Sequence, residues 1–93
     1  MNDQIMQFRW NKWNIEHIAR HGVYPEEAEQ VILSAHRPYP RSRKDDKWLV
    51  IGQGRGGRWL QVIFVLDQHE TAFVIHARTL IDREKRWERK RKK

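Results

Sequence analysis

The stretch KWLVIGQGRGGRWLQVIFVLD, residues 47–67, decides the fold. Lys47 to Gly52 has the β-branched and aromatic content of a strand, and Gly54-Arg55-Gly56-Gly57 supplies the backbone freedom for a tight reversal. Arg58 to Asp67 then returns as a second strand. It is apolar on both faces, as expected of a central strand covered by helices on one side and by something else, a partner included, on the other. Asp67-Gln68-His69-Glu70 makes a further reversal, and Thr71 to Arg78 (TAFVIHAR) completes an antiparallel meander.

Upstream, His36 to Asp46 is polar and proline-interrupted, which suits a loop or a poor edge strand. Before it come two short helices. The first spans Asn11 to His21, with Asn11 as N-cap, Gly22 as its stop and an apolar stripe of Trp13, Ile15, Ile18 and Ala19. The second runs from Pro25 to Ala35: Pro25 fits the first turn, Glu26 and Glu27 meet the positive end of the helix dipole, and Ala28, Val31, Ile32 and Ala35 form the stripe. Ile5 to Trp10 alternates as a short N-terminal strand. After the meander, Thr79 to Asp82 resembles a loose capping box, with Thr79 as N-cap and Asp82 reaching back, and residues 82–93 are rich in helix formers. The fold class is therefore α+β: an N-terminal strand, two short helices, an antiparallel meander and a C-terminal helix.

Ninety-three residues suit a single domain, 1–93, and the absence of cysteine rules out disulfides and thiolate metal sites. No apolar run approaches the roughly 20 residues that a membrane-spanning helix needs. The start, MNDQIMQFRW, lacks the basic-then-apolar order of a secretory signal, so no membrane partner and a cytoplasmic location are expected. Nineteen Lys and Arg against 12 Asp and Glu give a formal charge of +7, which favours polyanions, nucleic acid first, with an acidic protein or an anionic membrane surface satisfying the same arithmetic. Residues 82–93 hold eight basic and three acidic side chains, so +5 of that charge sits in the C-terminal helix and tail.

RNA can be cut without metal or cofactor if its 2′-hydroxyl is deprotonated, its phosphate is held and the developing charge is stabilised. Arginine suits the second and third tasks through its planar, permanently charged fork. Arg78 ends a predicted strand and Arg58 begins one, so both sit at sheet ends where side chains converge; the alternatives are a surface pair between Arg78 and Glu84, and ordinary loop chemistry for Arg58. His21, in the turn between the helices, is either a general base or acid or a lock on a helix-terminal carbonyl. His76 lies two residues before Arg78 and so shares its strand face. His17 and His21 are four apart, but neither an H-E-x-x-H order nor an obvious third ligand makes them a metal site. Gly52, Gly54, Gly56 and Gly57 lack the following G-K-[ST] of a phosphate loop. Arg83, Lys85, Arg86, Arg89 and Lys90, followed by Arg91, Lys92 and Lys93, are placed to attract RNA or the ribosome. Trp87 among them is assigned to the core rather than to base stacking, as are Trp10, Trp13, Trp48 and Trp59, with room for one tryptophan at a partner interface.

Phe8-Arg9-Trp10-Asn11, followed by Ile18-Ala19-Arg20-His21-Gly22-Val23 and Glu26-Glu27-Ala28, resembles the N-terminal half of the BrnT family of toxins. The resemblance continues at Arg58-Trp59-Leu60-Gln61-Val62-Ile63-Phe64 and at Ile75-His76-Ala77-Arg78-Thr79 with Glu84 following, and so covers nearly the whole chain. It implies a RelE-like ribonuclease fold and an activity that stops growth through RNA cleavage. It also implies neutralisation by a cognate antitoxin with a ribbon-helix-helix part, through which operator DNA is reached. Arg58, Arg78 and His21 match the family's arginine and turn-histidine positions. Asn11 stands where an aspartate is common, Trp87 lies near a position often taken by tyrosine, and the basic ending is heavier than the family minimum. A non-catalytic RNA- or protein-binding module of the same fold is the competing reading.

Overall fold

The computed structural model describes residue 5 and residues 7–91; the expectations for Met6, Lys92 and Lys93 lie outside the described residues. The elements run β1 (Gln7–Arg9), α1 (Lys12–Ala19), α2 (Pro25–Leu33), β2 (Arg41–Arg43), β3 (Lys47–Gln53), β4 (Trp59–Asp67), β5 (Thr71–Thr79) and α3 (Asp82–Arg91). They form one five-stranded sheet in the order β1-β5-β4-β3-β2. The glycine turn closes as expected: Gly57 adopts φ +89°, its N–H reaches the Gly54 carbonyl at 2.9 Å, and the Gly54 N–H bonds the Arg58 carbonyl at 3.1 Å. β3, β4 and β5 pair antiparallel, and the poor edge strand of the sequence reading is β2, paired with β3. The N-terminal strand departs from the antiparallel plan, for β1 lies parallel to β5, Gln7 opposite Thr71 and Arg9 opposite Phe73. The helices, β2 and the β3–β4 hairpin intervene between β1 and β5, the long crossover that a parallel pair requires.

Alternate residues of the central strands build the core. Leu60, Val62 and Phe64 of β4, Val50 of β3, and Ala72, Val74 and Ala77 of β5 are buried on one sheet face against Ile18, Val23, Ala28, Val31 and Ile32 of the α1–α2 segment. Each larger side chain in this set gains roughly 1.5–3 kcal/mol from leaving water.

α1 turns a different face inward than its apolar stripe suggested. Asn14 and Ile18 are its buried residues, whereas Trp13 is 53% and Ile15 41% exposed, and Ala19 is exposed too. The cause is polar. Asn14 donates through Nδ2 to the Arg9 carbonyl at 3.1 Å and to the Val74 carbonyl at 3.0 Å, while its Oδ1 accepts from the Asn11 N–H at 2.7 Å. Since β1 stops opposite Phe73, the Asn14 amide satisfies the next residue of the β5 edge, where a strand partner is missing. Asn11 caps the helix by accepting from the Asn14 N–H at 3.1 Å.

α2 starts at Pro25 as expected and ends at Leu33, where the Ser34 hydroxyl donates to the Gln30 carbonyl at 2.6 Å. α3 is not capped by Thr79 and Asp82. The Leu80 N–H bonds the Trp59 carbonyl at 3.0 Å and prolongs the hairpin, so the helix begins at Asp82 and Glu84 reaches back to the Ile81 N–H at 2.9 Å.

α3 covers part of the opposite sheet face, and charge rather than apolar surface holds it there. Glu88, 3% exposed, accepts from the Tyr39 hydroxyl at 2.8 Å and from Arg91 Nη2 at 2.7 Å. Trp87, expected in the core, is 55% exposed, because the inward positions of the helix are taken by Glu84, Glu88 and Arg91. Trp59 is buried, while Trp10 and Trp48 are half-buried.

Candidate active site

The end of β5, the start of β4 and the α1–α2 turn meet at one end of the sheet. Gly22, at φ +73°, stops α1, and the Gly22 and Val23 N–H groups return to the Ala19 and Ile18 carbonyls at 2.9 and 3.2 Å. That closure leaves His21 on an exposed turn. Arg58 anchors the turn from just before β4: its Nη2 donates to the Gly22 carbonyl at 2.7 Å, and its Nε donates to Glu27 at 2.9 Å, with a second bond from Nη2 to the same carboxylate. The Arg58 guanidinium holds the Glu27 carboxyl below its ordinary range, and the bond to Glu27 in turn raises Arg58.

A β-bulge at Ile75 sets the other half of the site. Val74 pairs with Phe64 on the core face, but the next pair is His76 with Ile63, so the extra residue turns His76 and Arg78 onto the opposite face. His76 and Arg78 therefore share a face, as their spacing predicted. Because α1 flanks the β5 edge, its histidines arrive beside His76: ring centroids are 5.3 Å apart for His21–His76, 6.2 Å for His17–His76 and 6.5 Å for His17–His21. Trp13 stacks on His17 at 5.0 Å and on Phe73 at 6.1 Å and forms the outer wall.

Arg78 makes a bidentate pair with Glu84, 3.0 Å from Nη1 and 2.9 Å from Nη2, and also donates to the Thr79 carbonyl at 3.1 Å and to its cross-strand neighbour Gln61 at 3.3 Å. These bonds, the one from Arg78 first and the Ile81 N–H second, pull the Glu84 carboxyl down to about 2. His76 titrates below the ordinary imidazole range, chiefly because burial disfavours its cation and further through its electrostatic interactions with His21, His17 and Arg78. Its neutral, proton-accepting form is thereby favoured.

The predicted residues are thus connected: Arg58 fixes Gly22, Gly22 follows His21, His21 touches His76, and Arg78 lies on the same face as His76. Gln61 and the wall residue Trp13 were not singled out as site residues in the sequence, and His17 was weighed there only as half of a metal pair. Trp13 and His17 stand at i,i+4 spacing on one face of α1, and His21 follows four residues on in the turn beyond it, which is the signal that the three lie along one edge. Among the described residues no group of three or more His, Cys, Asp or Glu side chains is arranged to hold a metal ion. Of the C-terminal cations, Arg83, Arg86, Arg89 and Lys90 are exposed, and Lys85 is half-buried beside Asp82 at 3.6 Å. No helix among the described residues is long and apolar enough to cross a membrane.

A mixed five-stranded sheet with a helix pair on one face and a closing basic helix on the other defines a small α+β fold. In particular, the chain has a BrnT-like fold: it is similar to the 1.1 Å crystal structure of the Brucella abortus ribonuclease toxin BrnT, with a TM-score of 0.59 and 23% identity. The likeness covers 83% of this chain and 99% of that one. No protein-family model matches the chain, and no curated protein matches it significantly in sequence.

Proposed function

We propose that this protein is a metal-independent endoribonuclease of the toxin type, whose cleavage of RNA blocks translation and growth until an antitoxin binds. The observation that carries the reading is the convergence of His21, His76 and Arg78 at one sheet end, on a turn that Arg58 holds in place. A neutral His76 accepts the 2′-hydroxyl proton, and the freed oxygen attacks the adjacent phosphorus. Arg78 neutralises the charge that develops on the phosphate oxygens, and His21 gives a proton to the departing 5′-oxygen. Products are a 2′,3′-cyclic phosphate and a 5′-hydroxyl. Arg58 acts as a positioning residue through Gly22. Arg83, Lys85, Arg86, Arg89 and Lys90 gather RNA, free or on the ribosome, by neutralising phosphates. The antitoxin expected is of the ribbon-helix-helix type, bringing operator DNA to the pair, and the setting is the cytoplasm.

Induced expression of wild type, Arg78→Ala, Arg58→Ala and His21→Ala tests the reading, with growth and RNA integrity followed and circular dichroism confirming the fold of each. Wild type is expected to arrest growth with RNA loss, and the folded variants are expected not to. One observation favours a non-catalytic binding module instead: Arg58 and Arg78 already spend their guanidinium N–H groups on Glu27 and Glu84. Intact RNA after prolonged incubation with purified protein, in the presence of a chelator, would decide for that module.

A further inference from the structure

On the sheet face opposite the core, a groove runs between α3 and the segment from His36 to Arg41. Its wider, more open part, with a volume of about 350 Å³, has Leu49 and Ile51 as floor, Trp87 as wall, and Arg41 and Arg83 at the rim. It continues past Tyr39 and Glu88 into a smaller polar recess of about 250 Å³ bordered by His36, Arg37 and Arg91.

The charges of this groove are one-sided. Its two carboxylates are already engaged, Glu84 by Arg78 and Glu88 by Tyr39 and Arg91. The Arg41 and Arg83 side chains make no hydrogen bond or ion pair among the described residues, and Arg83 acts on Glu84 only through space. Arg41 stands opposite Leu49 in the β2–β3 register, so a free cation flanks the apolar floor. An occupant must therefore offer apolar side chains to the floor and negative charge to the rim. A nucleobase meets this poorly, because the floor is aliphatic and the carboxylates that would accept from its amino groups are committed elsewhere.

We infer that this groove is the docking site for an acidic, amphipathic segment of a partner protein, with an apolar side chain seated against Leu49, Ile51 and Trp87 and carboxylates on Arg41 and Arg83. The inference rests on the toxin reading only where it makes that segment part of the inhibitory antitoxin. Because Glu84 lines the groove and also holds Arg78, a docked segment reaches the arginine of the candidate active site through a single residue.

The test uses the full chain with a synthetic helical peptide carrying leucines along one face and glutamates on the other. Controls are the same peptide with lysines for glutamates, and a short single-stranded RNA. The readout is the Trp87 indole N–H signal, assigned by its loss in Trp87→Ala. The glutamate peptide is expected to shift that signal and to bind about tenfold more weakly to Arg41→Glu, an exposed position whose charge is simply reversed. The lysine peptide is not expected to move it, and RNA held on the outer cations of α3 is expected not to displace the glutamate peptide. RNA moving the signal and displacing the peptide would overturn the inference in favour of an RNA subsite, and so would a peptide that fails to bind or binds Arg41→Glu equally well. RNA cleavage by wild type is followed in parallel and should persist in Arg41→Glu and Trp87→Ala. A wild type that binds the peptide but cuts no RNA would sink the nuclease reading while supporting the groove.

Discussion

The two faces of the sheet are covered in opposite ways. On one, α1 and α2 lay Ile18, Ala28, Val31 and Ile32 on a dry apolar surface, with Asn14 as the buried polar side chain and every one of its contacts satisfied. On the other, α3 attaches through Arg78–Glu84 and through Tyr39, Glu88 and Arg91, leaving Trp87 in solvent. Apolar burial is non-directional and supplies most of the folding free energy, whereas paired charges contribute little net stability but fix geometry. The first face accordingly carries the stability of the domain. The second orders a helix that contributes no residue to the apolar core cluster.

Phe64→Ala attacks the first face at its centre and should cost about 3–5 kcal/mol, read as a lower midpoint in denaturant with loss of the whole fold at once. Asn14→Ala should follow at about 2–3 kcal/mol, since it leaves the Arg9 and Val74 carbonyls without their donor and removes half of the capping box. Circular dichroism against urea measures it. Glu88→Ala acts on the second face. We expect about 1–3 kcal/mol, from the stranded Tyr39 hydroxyl and Arg91, with hydrogen exchange accelerated in α3 but not in β4. Equal acceleration in both elements would erase the contrast between the faces.

The smallest effects come from pH and also belong to the second face. Burial and the Glu88 carboxylate push the Tyr39 phenol up to about 12 from 10.0. The neutral form is the one the fold prefers, so its contribution is complete below pH 10.0 and is lost as pH rises through about 12. Glu84, held at about 2, works the other way: its contribution is complete above 4.5 and is lost as pH falls through about 2. Absorbance titration should show one of the two tyrosines ionising near 12, and protease nicking within α3 should increase at either extreme.

The hairpin was legible because glycine spacing and strand composition are local properties, and the elements themselves followed from helix starts, stops and alternation. The attachment of α3 was not. Tyr39 sits in the segment of weakest pattern and Glu88 in a run of charges, and a buried ion network leaves no hydrophobic period to read. For the same reason Trp13 and Trp87 were assigned inward: side-chain size argued for burial, while the inward positions were claimed by the hydrogen bonds of Asn14, Glu84 and Glu88. Of the site, Arg78 with His76 followed from two-residue spacing and His21 from the glycine stop. The arrival of His17 depended on the tilt of α1 along the β5 edge, which follows from pairing partners distant in sequence.

The bulge at Ile75 divides β5 in two: before it Ala72 and Val74 are the even-numbered residues on the core face, and after it the even-numbered His76 and Arg78 lie on the opposite face. Were the same residues to pair without the bulge, every histidine and arginine would remain, yet His76 and Arg78 would follow Val74 into the interior and Ala77 would turn out. Dismantling that cluster therefore needs no change to any of its side chains. The register of one strand is as much a determinant of the candidate site as the residues that line it.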